Sequence, residues 1–450
     1  MKNRFLFAIV AAGLSAGAAT SAYQMPGSDL TQWDPLLKDD YAPAIINQLQ
    51  DENNILKFME SEIPDDTWQG RKKVIPIKIG RNMSSGSIPA RGRLPQAGRT
   101  SYKDFEVPMK STYGRVGFER NVILQSRNKK GSWQQVIPTE MEALTESLSF
   151  HRNRVCWGYG SGILALVNGA ITASTTVTVD APGNVAGSVM GNRYLYGDTT
   201  SGMFVAFLDS GNNVEATGTI AGIAAAGTSV TMEAAVTLTD NDKIVIAQST
   251  TQNSYNVEPE GILAGIDDGT YVDTYHNLSR TTYPLLKSYV VTGVGGLSLD
   301  AIQQPIDAVS IRVGSTVDFF AAEHAVRRAY VALLETDRRY TGADLMSPDG
   351  GTKAAKKPTG KNITYGDIPI VVDRDCPYRM LFGVNKASWT RYVEDEGSWA
   401  NEEGSVLKWV QEYDEYTAFF SIFDNFHCQQ PNRNFRMEGI DVNQLIAHSV

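Results

Sequence analysis

The sequence predicts an α+β fold in several compact units, with a small all-β domain inserted between a long helix and a mixed body. Three observations predict it. A base-rich, β-branched stretch near residues 71–120 precedes one strongly periodic helix near 138–155. Residues 163–250 then hold only nine charged positions and are dominated by Gly, Ala, Thr and Val. From Pro259 onward, strand-like and helix-like patterns alternate. A chain of 450 residues is too long for one core, and at roughly 100–200 residues per domain it should form two to four.

Composition excludes several classes. With 42% hydrophobic and 20% charged residues the chain is globular rather than disordered. Cys156, Cys376 and Cys428 are far apart in sequence, so they form neither a disulfide framework nor a cysteine-based zinc site. The net charge of −9 opposes a simple nucleic-acid binder. That charge is uneven. Residues 28–70 carry ten acids against Lys38 and Lys57, a net of −8. Residues 71–130 carry fifteen bases against Asp104, Glu106 and Glu119, a net of +12, which leaves −13 elsewhere. Segments of opposite sign are either complementary surfaces that meet or two solvated faces.

The N-terminus is ambiguous. Lys2 and Arg4 precede an apolar run, Phe5 to Leu14, and small residues up to Thr20-Ser21-Ala22. This has the shape of a secretory signal peptide and is short for a membrane span. It reads either as an export signal or as a retained apolar tail that docks on a partner.

The elements follow in order. Ile45, Ile46, Leu49, Ile55, Leu56 and Met59 recur near helical spacing between Pro43 and Pro64, giving a partly helical arm. Val74-Ile75-Pro76-Ile77-Lys78-Ile79 reads as a strand. Phe105, Val107, Met109 and then Tyr113 to Phe118 read as its return. Ser84 to Pro95, rich in Gly, Ser, Pro and Arg, forms the tip of this long hairpin. Two strands alone are marginal in water, so the hairpin should lean on another surface. Pro138 opens the clearest helix. Its stripe is Met141, Leu144, Leu148 and Val155; Glu140 and Glu142 suit its start, and Arg152 and Arg154 its end. Gly158 to Gly162 stop it. Thr175 to Val179, Met203 to Phe207 and Lys243 to Ile246, separated by turns, suggest a small β-barrel or sandwich. Ser298 should cap a helix that meets Pro305. A further helix should run through Arg327, Tyr330 and Leu334, and Gly350 to Gly360 should form a loop. Strands are expected at Ile368 to Asp373, Met380 to Val384 and Tyr416 to Phe423.

Catalytic patterns are missing. No Gly-x-x-x-x-Gly-Lys-Ser/Thr loop occurs, and Gly293-Val294-Gly295-Gly296 has the wrong spacing for a dinucleotide turn. Gly160-Ser161-Gly162 lacks the nucleophile-elbow frame. His151, His276, His324, His427 and His448 are scattered and read as structural. The acids Asp65-Asp66, Asp267-Asp268, Asp373 with Asp375, and Glu394-Asp395-Glu396 are sequence neighbours. Acid–base work needs carboxyls opposed across a cleft. No metal, cofactor or catalytic residue is assigned.

The order of parts carries a resemblance. Ser28-Asp29-Leu30-Thr31-Gln32-Trp33-Asp34-Pro35-Leu36-Leu37 with Ile55-Leu56-Lys57-Phe58-Met59, the helix Glu140 to Arg154, Tyr365 to Asp373 with Pro377, Met380 to Asn385, and Pro431 to Ile440 together resemble major capsid proteins of tailed bacteriophages, of the Hong Kong 97-type fold. The resemblance covers roughly residues 28–445. It implies a tail and N-arm (1–69), an extended β-hairpin loop (70–131), a spine helix of the peripheral domain (132–162), and an inserted β-barrel-like domain (163–254). An axial domain with part of the peripheral domain (255–410) and C-terminal peripheral strands (411–450) complete it. It also implies a non-enzymatic protein without cofactors that associates with itself as hexamers and pentamers. The icosahedral shell so formed would enclose packaged double-stranded DNA without reading its sequence.

Portal and scaffold or decoration proteins would be further partners, with no membrane involved. The protein would reside in the virion, assembled in the host bacterial cytoplasm. On this reading Arg91, Arg93, Arg99 and Lys103 of the loop meet acidic surface on neighbouring subunits, Asp39 and Asp40 of the arm among it. The competing reading, motivated by Lys2 to Ala22, is an exported β-rich surface or binding protein.

Overall fold

A computed structural model of the chain describes residues 54–67, 70–126, 136–336, 363–401, 404–410 and 413–443. These fall within one compact unit, Leu49–Val450, distinct from Met1–Gln48. The N-terminal apolar run, Asp39, Asp40 and the expected loop Gly350 to Gly360 lie outside the described residues.

Helix α1 (Asn54–Lys57) continues into a π turn, Phe58–Glu62, and buries Ile55, Leu56, Phe58 and Met59. A helix start leaves backbone N–H groups without intrahelical partners. Here Ile55 N–H donates to Asp373 Oδ2 (3.1 Å) and Leu56 N–H to Asn153 Oδ1 (3.1 Å). Strand β1 (Asp65–Thr67) follows. Strands β2 (Lys72–Gly80) and β3 (Ser101–Pro108) pair antiparallel as an isolated hairpin. The expected return through Tyr113 to Phe118 does not belong to it. Strand β4 (Lys110–Glu119) leaves the hairpin and pairs along its length with β20 (Glu415–Cys428). Its alternation decides this: Gly114 and Phe118 are buried, and a Cβ on Gly114 would lie 3.0 Å from Leu144 of the long helix. A strand with one face on a helix gains more than one in a bare two-stranded ribbon.

After α2 (Arg120–Ser126), the long helix α3 (Val136–Trp157) spans 22 residues. Its C-terminal residues 152–157 are all buried, Arg152, Asn153 and Arg154 included. The two arginines, expected near the far end of the helix, are enclosed in ion pairs there.

The barrel begins five residues past the helix. Strands β5 (Ile163–Val167), β6 (Ile171–Asp180), β7 (Phe204–Leu208), β8 (Val214–Ile223), β9 (Ser229–Leu238) and β10 (Lys243–Ile246) close in the order β10-β5-β6-β9-β8-β7. Closure removes sheet edges, and Leu164, Val177, Val205, Phe207, Ile220, Val230 and Ile244 fill the interior.

The remainder builds two sheets. Short α4 (Ile262–Gly265) precedes β11 (Thr274–Tyr275), β12 (Leu278–Ser279) and β13 (Tyr289–Val291). Helix α5 (Leu299–Val313) starts at Ser298, whose hydroxyl accepts from Ala301 N–H at 3.1 Å. It does not stop at Pro305 but runs on to Gly314. Proline removes one helical hydrogen bond, yet Ile302, Pro305 and Val309 all lie on the buried face, and that packing holds the helix across the gap. Strand β14 (Phe319–Ala322) and helix α6 (His324–Thr336) follow.

With β15 (Ile363–Tyr365), β16 (Ile368–Val372), β17 (Leu381–Val384) and β21 (Phe435–Met437), a six-stranded sheet forms in the order β13-β21-β17-β14-β16-β15. A five-stranded sheet joins β1, β18 (Trp389–Trp399), β19 (Lys408–Trp409), β20 and β4, with β20 as its hub. The expected boundary at 410/411 falls between strands of this one sheet. β21, grouped by sequence with the C-terminal peripheral strands, lies in the other.

Buried charge joins these parts. Asp424 on β20 is fully buried and receives Arg152 Nη2 at 2.6 Å and Arg391 Nε at 3.0 Å; Arg152 Nε also reaches Glu60 Oε1 at 2.9 Å. Asp267 is likewise buried between Arg280 (3.4 Å) and Arg436 (3.1 Å). Removing one partner of a buried pair strands the other and costs about 3–5 kcal/mol. Asp424→Ala should therefore lower the unfolding free energy by about that amount, measured by urea titration of the purified chain. A change under about 0.5 kcal/mol, the usual range for surface substitutions, would disprove the role.

Candidate assembly interface

The hairpin's two ends differ. At its root Phe105 and Val107 are fully buried, and Ile75 and Ile77 pack on the main core. Val107 meets Tyr392, with Ile75 and Met109 beside them. Phe105 stands edge-on to His427 (ring centroids 4.8 Å) and Tyr275 (6.0 Å), and Glu106 N–H donates to the His276 carbonyl at 3.1 Å. Asn425 Nδ2 donates to Pro108 O at 2.9 Å. Beyond Lys103 the hairpin leaves the body and its side chains are mainly exposed.

The tip, residues 81–100, contains no strand. Asn82 Nδ2 donates to Gly98 O at 3.0 Å and draws its base together. A turn at Pro89–Gly92 closes through Gly92 N–H to Pro89 O (2.8 Å), with Arg91 at φ 68. A Cβ on Gly92 would lie 2.9 Å from Pro89 Cδ, so glycine is required by space. Arg91 thus sits within this turn and Arg93 directly follows it. Arg99 lies at the tip's base, and Lys103 sits apart on β3, its Nζ 6.0 Å over the Tyr283 ring and so facing its own subunit. The tip also exposes Met83 and Leu94, each 82% accessible, and Ile88 at 45%. Their signal was readable as apolar residues inside a Gly/Pro/Arg loop, where no core is near to take them.

Arg81, Arg91, Arg93 and Arg99 make no ion pair among the described residues, whereas the root bases do: Lys73 with Asp66 (2.7 Å) and Lys72 with Glu106 (2.6 Å). Three of the four described acids of the 28–70 segment are ion-paired within the fold. Glu60 pairs with Arg152, Glu62 with Lys386, and Asp66 with Lys73.

The carboxylate pairs serve structure. Asp373 caps α1 and receives Asn153 Nδ2 at 3.1 Å; burial, then its neighbour Asp375, pushes its carboxyl above the usual range. Asp395 accepts from Gly397 N–H and Ser398 Oγ within its own turn. All three cysteines are buried and free, and burial pushes the Cys156 thiol up, away from nucleophilic use. Among the described residues no cluster of His, Cys, Asp or Glu could hold a metal ion, and no helix is long and apolar enough to cross a membrane. A crevice between Trp157, Tyr159, Tyr194 and Glu258 encloses about 20 Å³, room for a single water.

The long helix under a five-stranded sheet, the separate six-stranded sheet and the projecting hairpin together define the fold of tailed-phage major capsid proteins, the Hong Kong 97 type. Among solved structures, the capsid asymmetric unit of cyanophage A-1(L) superposes with a TM-score of 0.53 at 12% identity, over 90% of this chain and 98% of that one. The capsid of a native GTA particle gives 0.49 at 7% identity, over 92% and 100%. The holo-SrpI encapsulin complex of Synechococcus elongatus PCC 7942 gives 0.44 at 8%, over 93% and 97%. No family model and no curated protein matches the sequence.

Root and tip should respond differently to substitution. Phe105→Ala should cost about 3–5 kcal/mol as a buried aromatic and open the hairpin to limited proteolysis. Gln at Arg91, Arg93 and Arg99 together should leave the free subunit within about 0.5 kcal/mol of wild type in urea unfolding. A large loss in the triple variant would show that the tip belongs to the subunit's own structure.

Proposed function

We propose that the chain is a major capsid protein whose subunits associate as hexamers and pentamers into an icosahedral shell around packaged double-stranded DNA. The observation that carries this is the hairpin tip: four arginines without carboxylate partners among the described residues, and three exposed apolar side chains, held out from a capsid fold by a buried root. Such a surface is completed by another subunit. The acidic surface that receives it belongs to neighbouring copies, the arm's Asp39 and Asp40 included. In this arrangement β18–β20 with α3 form the peripheral domain, the six-stranded sheet with α5 and α6 the axial domain, and the barrel an insertion.

The role is structural rather than enzymatic. Asp66, Asp267, Asp373 and Asp395 support this through structural work, being ion-paired or capping backbone N–H groups. DNA would be enclosed without sequence readout, which a net charge of −9 favours, since tight phosphate binding opposes packing and release. Portal, scaffold or decoration proteins would join the particle, which is assembled in the host bacterial cytoplasm.

Each exposed ion pair contributes only about 0–1 kcal/mol, but shell symmetry repeats every contact in every subunit. Glu at Arg91, Arg93 and Arg99 together should leave the subunit folded and abolish particles in electron micrographs of expressed material. Size-exclusion chromatography of the wild type should give shells or stable pentamers and hexamers. Normal particles from the reversed variant would overturn the loop's role, and a wild type that stays monomeric at every concentration would overturn the capsid reading itself.

A further inference from the structure

The hairpin root is packed on an imidazole that has no hydrogen-bond partner. His427 on β20 is fully buried, and neither ring nitrogen is paired. Around its ring stand Phe105 from β3 (centroids 4.8 Å), His276 from the β11–β12 turn (4.7 Å), Tyr275 stacked at 5.8 Å, and Tyr392 from β18 at 6.2 Å. A neutral imidazole behaves in such a box as one more aromatic ring. A protonated one is a buried cation without a counter-ion, which is costly.

His276 is placed there against backbone preference. It holds φ 44 and Asn277 φ 75 in the two-residue turn between β11 and β12. Such turns favour Asn and Gly, so a histidine at the first position carries strain. In return its carbonyl accepts the hairpin's Glu106 N–H, and its Nδ1 lies 2.9 Å from Glu260 Oε2. That contact is an ion-pair approach rather than an aligned hydrogen bond.

The other charged or titratable groups facing the pair are few. Lys110 at the start of β4 donates to the Asn256 carbonyl (3.0 Å) with Glu260 and Glu258 in its field, the Arg280 guanidinium lies 4.8 Å over Tyr275, and Lys73 lies 5.4 Å over Tyr392. On β20 the neighbouring Cys428 thiol is buried, and its N–H donates to Tyr275 Oη at 2.8 Å. Glu106 itself turns outward to Lys72. Lys73 and Arg280 are already paired with Asp66 and Asp267, Glu260 is the one carboxylate against His276, and a proton arriving on His427 finds no anion of its own. Burial, then His276, holds the His427 imidazole well below its ordinary value of 6.5.

We infer that His427, packed between Phe105 of the hairpin and the His276 turn, forms a proton-operated latch at the root of the basic hairpin, closed at neutral pH and released by acid. The direction follows from linkage. A released His427 takes a proton near 6.5 and the packed one does not, so the latch is at full strength above that value. It weakens as pH falls below it. Between pH 7.5 and 5.5 the open population should rise about tenfold. The switch is independent of what the tip binds, so it stands or falls apart from the capsid reading.

Hydrogen exchange with mass spectrometry on the full chain, corrected for intrinsic exchange, tests it. Peptides covering Lys72–Lys78 and Tyr102–Pro108 should lose about tenfold protection between those pH values, with the barrel peptides Ile163–Ile246 unchanged. His427→Phe, which keeps the ring and removes the titration, should flatten the response. An absent response in wild type, an equal response in the barrel, or an undiminished response in the variant would overturn the latch. Should the variant not fold, imidazole C2-proton exchange at His427 in wild type decides. Titration well below 6.5 supports the latch, and ordinary titration near 6.5 sinks it.

Discussion

The buried carboxylate of Asp424 is the point from which the rest of the architecture is held. Two arginines from distant segments converge on it, Arg152 from near the end of the long helix and Arg391 from β18, and Arg152 carries Glu60 of the π turn after α1 with it. Isolated in a protein interior, any of these charges would be expensive. Together they satisfy one another with bidentate geometry, which is what guanidinium offers and ammonium does not. The helix adds to this, because Arg154 sits in its final turn, where the dipole is negative, and Arg152 lies just before that turn.

Three consecutive residues near the helix C-terminus, Arg152, Asn153 and Arg154, face three different parts of the molecule. Arg152 holds the five-stranded sheet and α1. Asn153 bonds Leu56 N–H on one side and Asp373 and Asp375, at the end of β16, on the other. Arg154 pairs with Glu258, on the segment that leads out of the barrel. The barrel begins immediately after the helix ends, so its entry and exit are both fastened at this turn. A rigid centre of this kind lets two appendages differ in kind. The barrel closes on its own core, whereas the hairpin has a buried root and a tip whose apolar and basic groups find no complement among the described residues.

Much of this was legible in the sequence, but unevenly. Periodicity placed the long helix, three of the six barrel strands (β6, β7 and β10) and β2, β3, β16, β17 and β20 of the body, because in those segments local preference and burial agree. It failed where burial overrides polarity. Arg152 and Arg154 read only as bases suited to the helix end, since nothing in sequence distinguishes a charge facing water from one facing Asp424, 272 positions from Arg152. The helix capped by Ser298 was read only as far as Pro305, and tertiary packing of Ile302 and Val309 carries it on to Val313. β4 read as the hairpin's return strand, because alternation specifies a half-buried strand without naming its partner. The hairpin tip was visible as a basic Gly/Pro-rich loop, but the pairing of His276 with His427 was not, since no local pattern links a turn residue to a distant strand.

Net charge, the coarsest reading of all, also has to be re-weighed. Asp267, Asp373 and Asp424 are each less than 2% exposed, Glu258 is nearly so, and each of the four is engaged by groups within the fold. Their charges are neutralised or capped in place and exert little field outside. The exposed arginines of the tip have no such partners among the described residues, and the lysines nearer the root do. The −9 of the whole chain is therefore a poor guide to any one surface. What a neighbouring molecule would meet at the hairpin tip is concentrated positive charge beside bare Met83 and Leu94. Apolar contact there supplies area, and the arginines supply register and the rejection of wrong partners. A surface of that composition is poorly satisfied by water alone, and it is held out by a root whose own stability depends on one imidazole remaining uncharged.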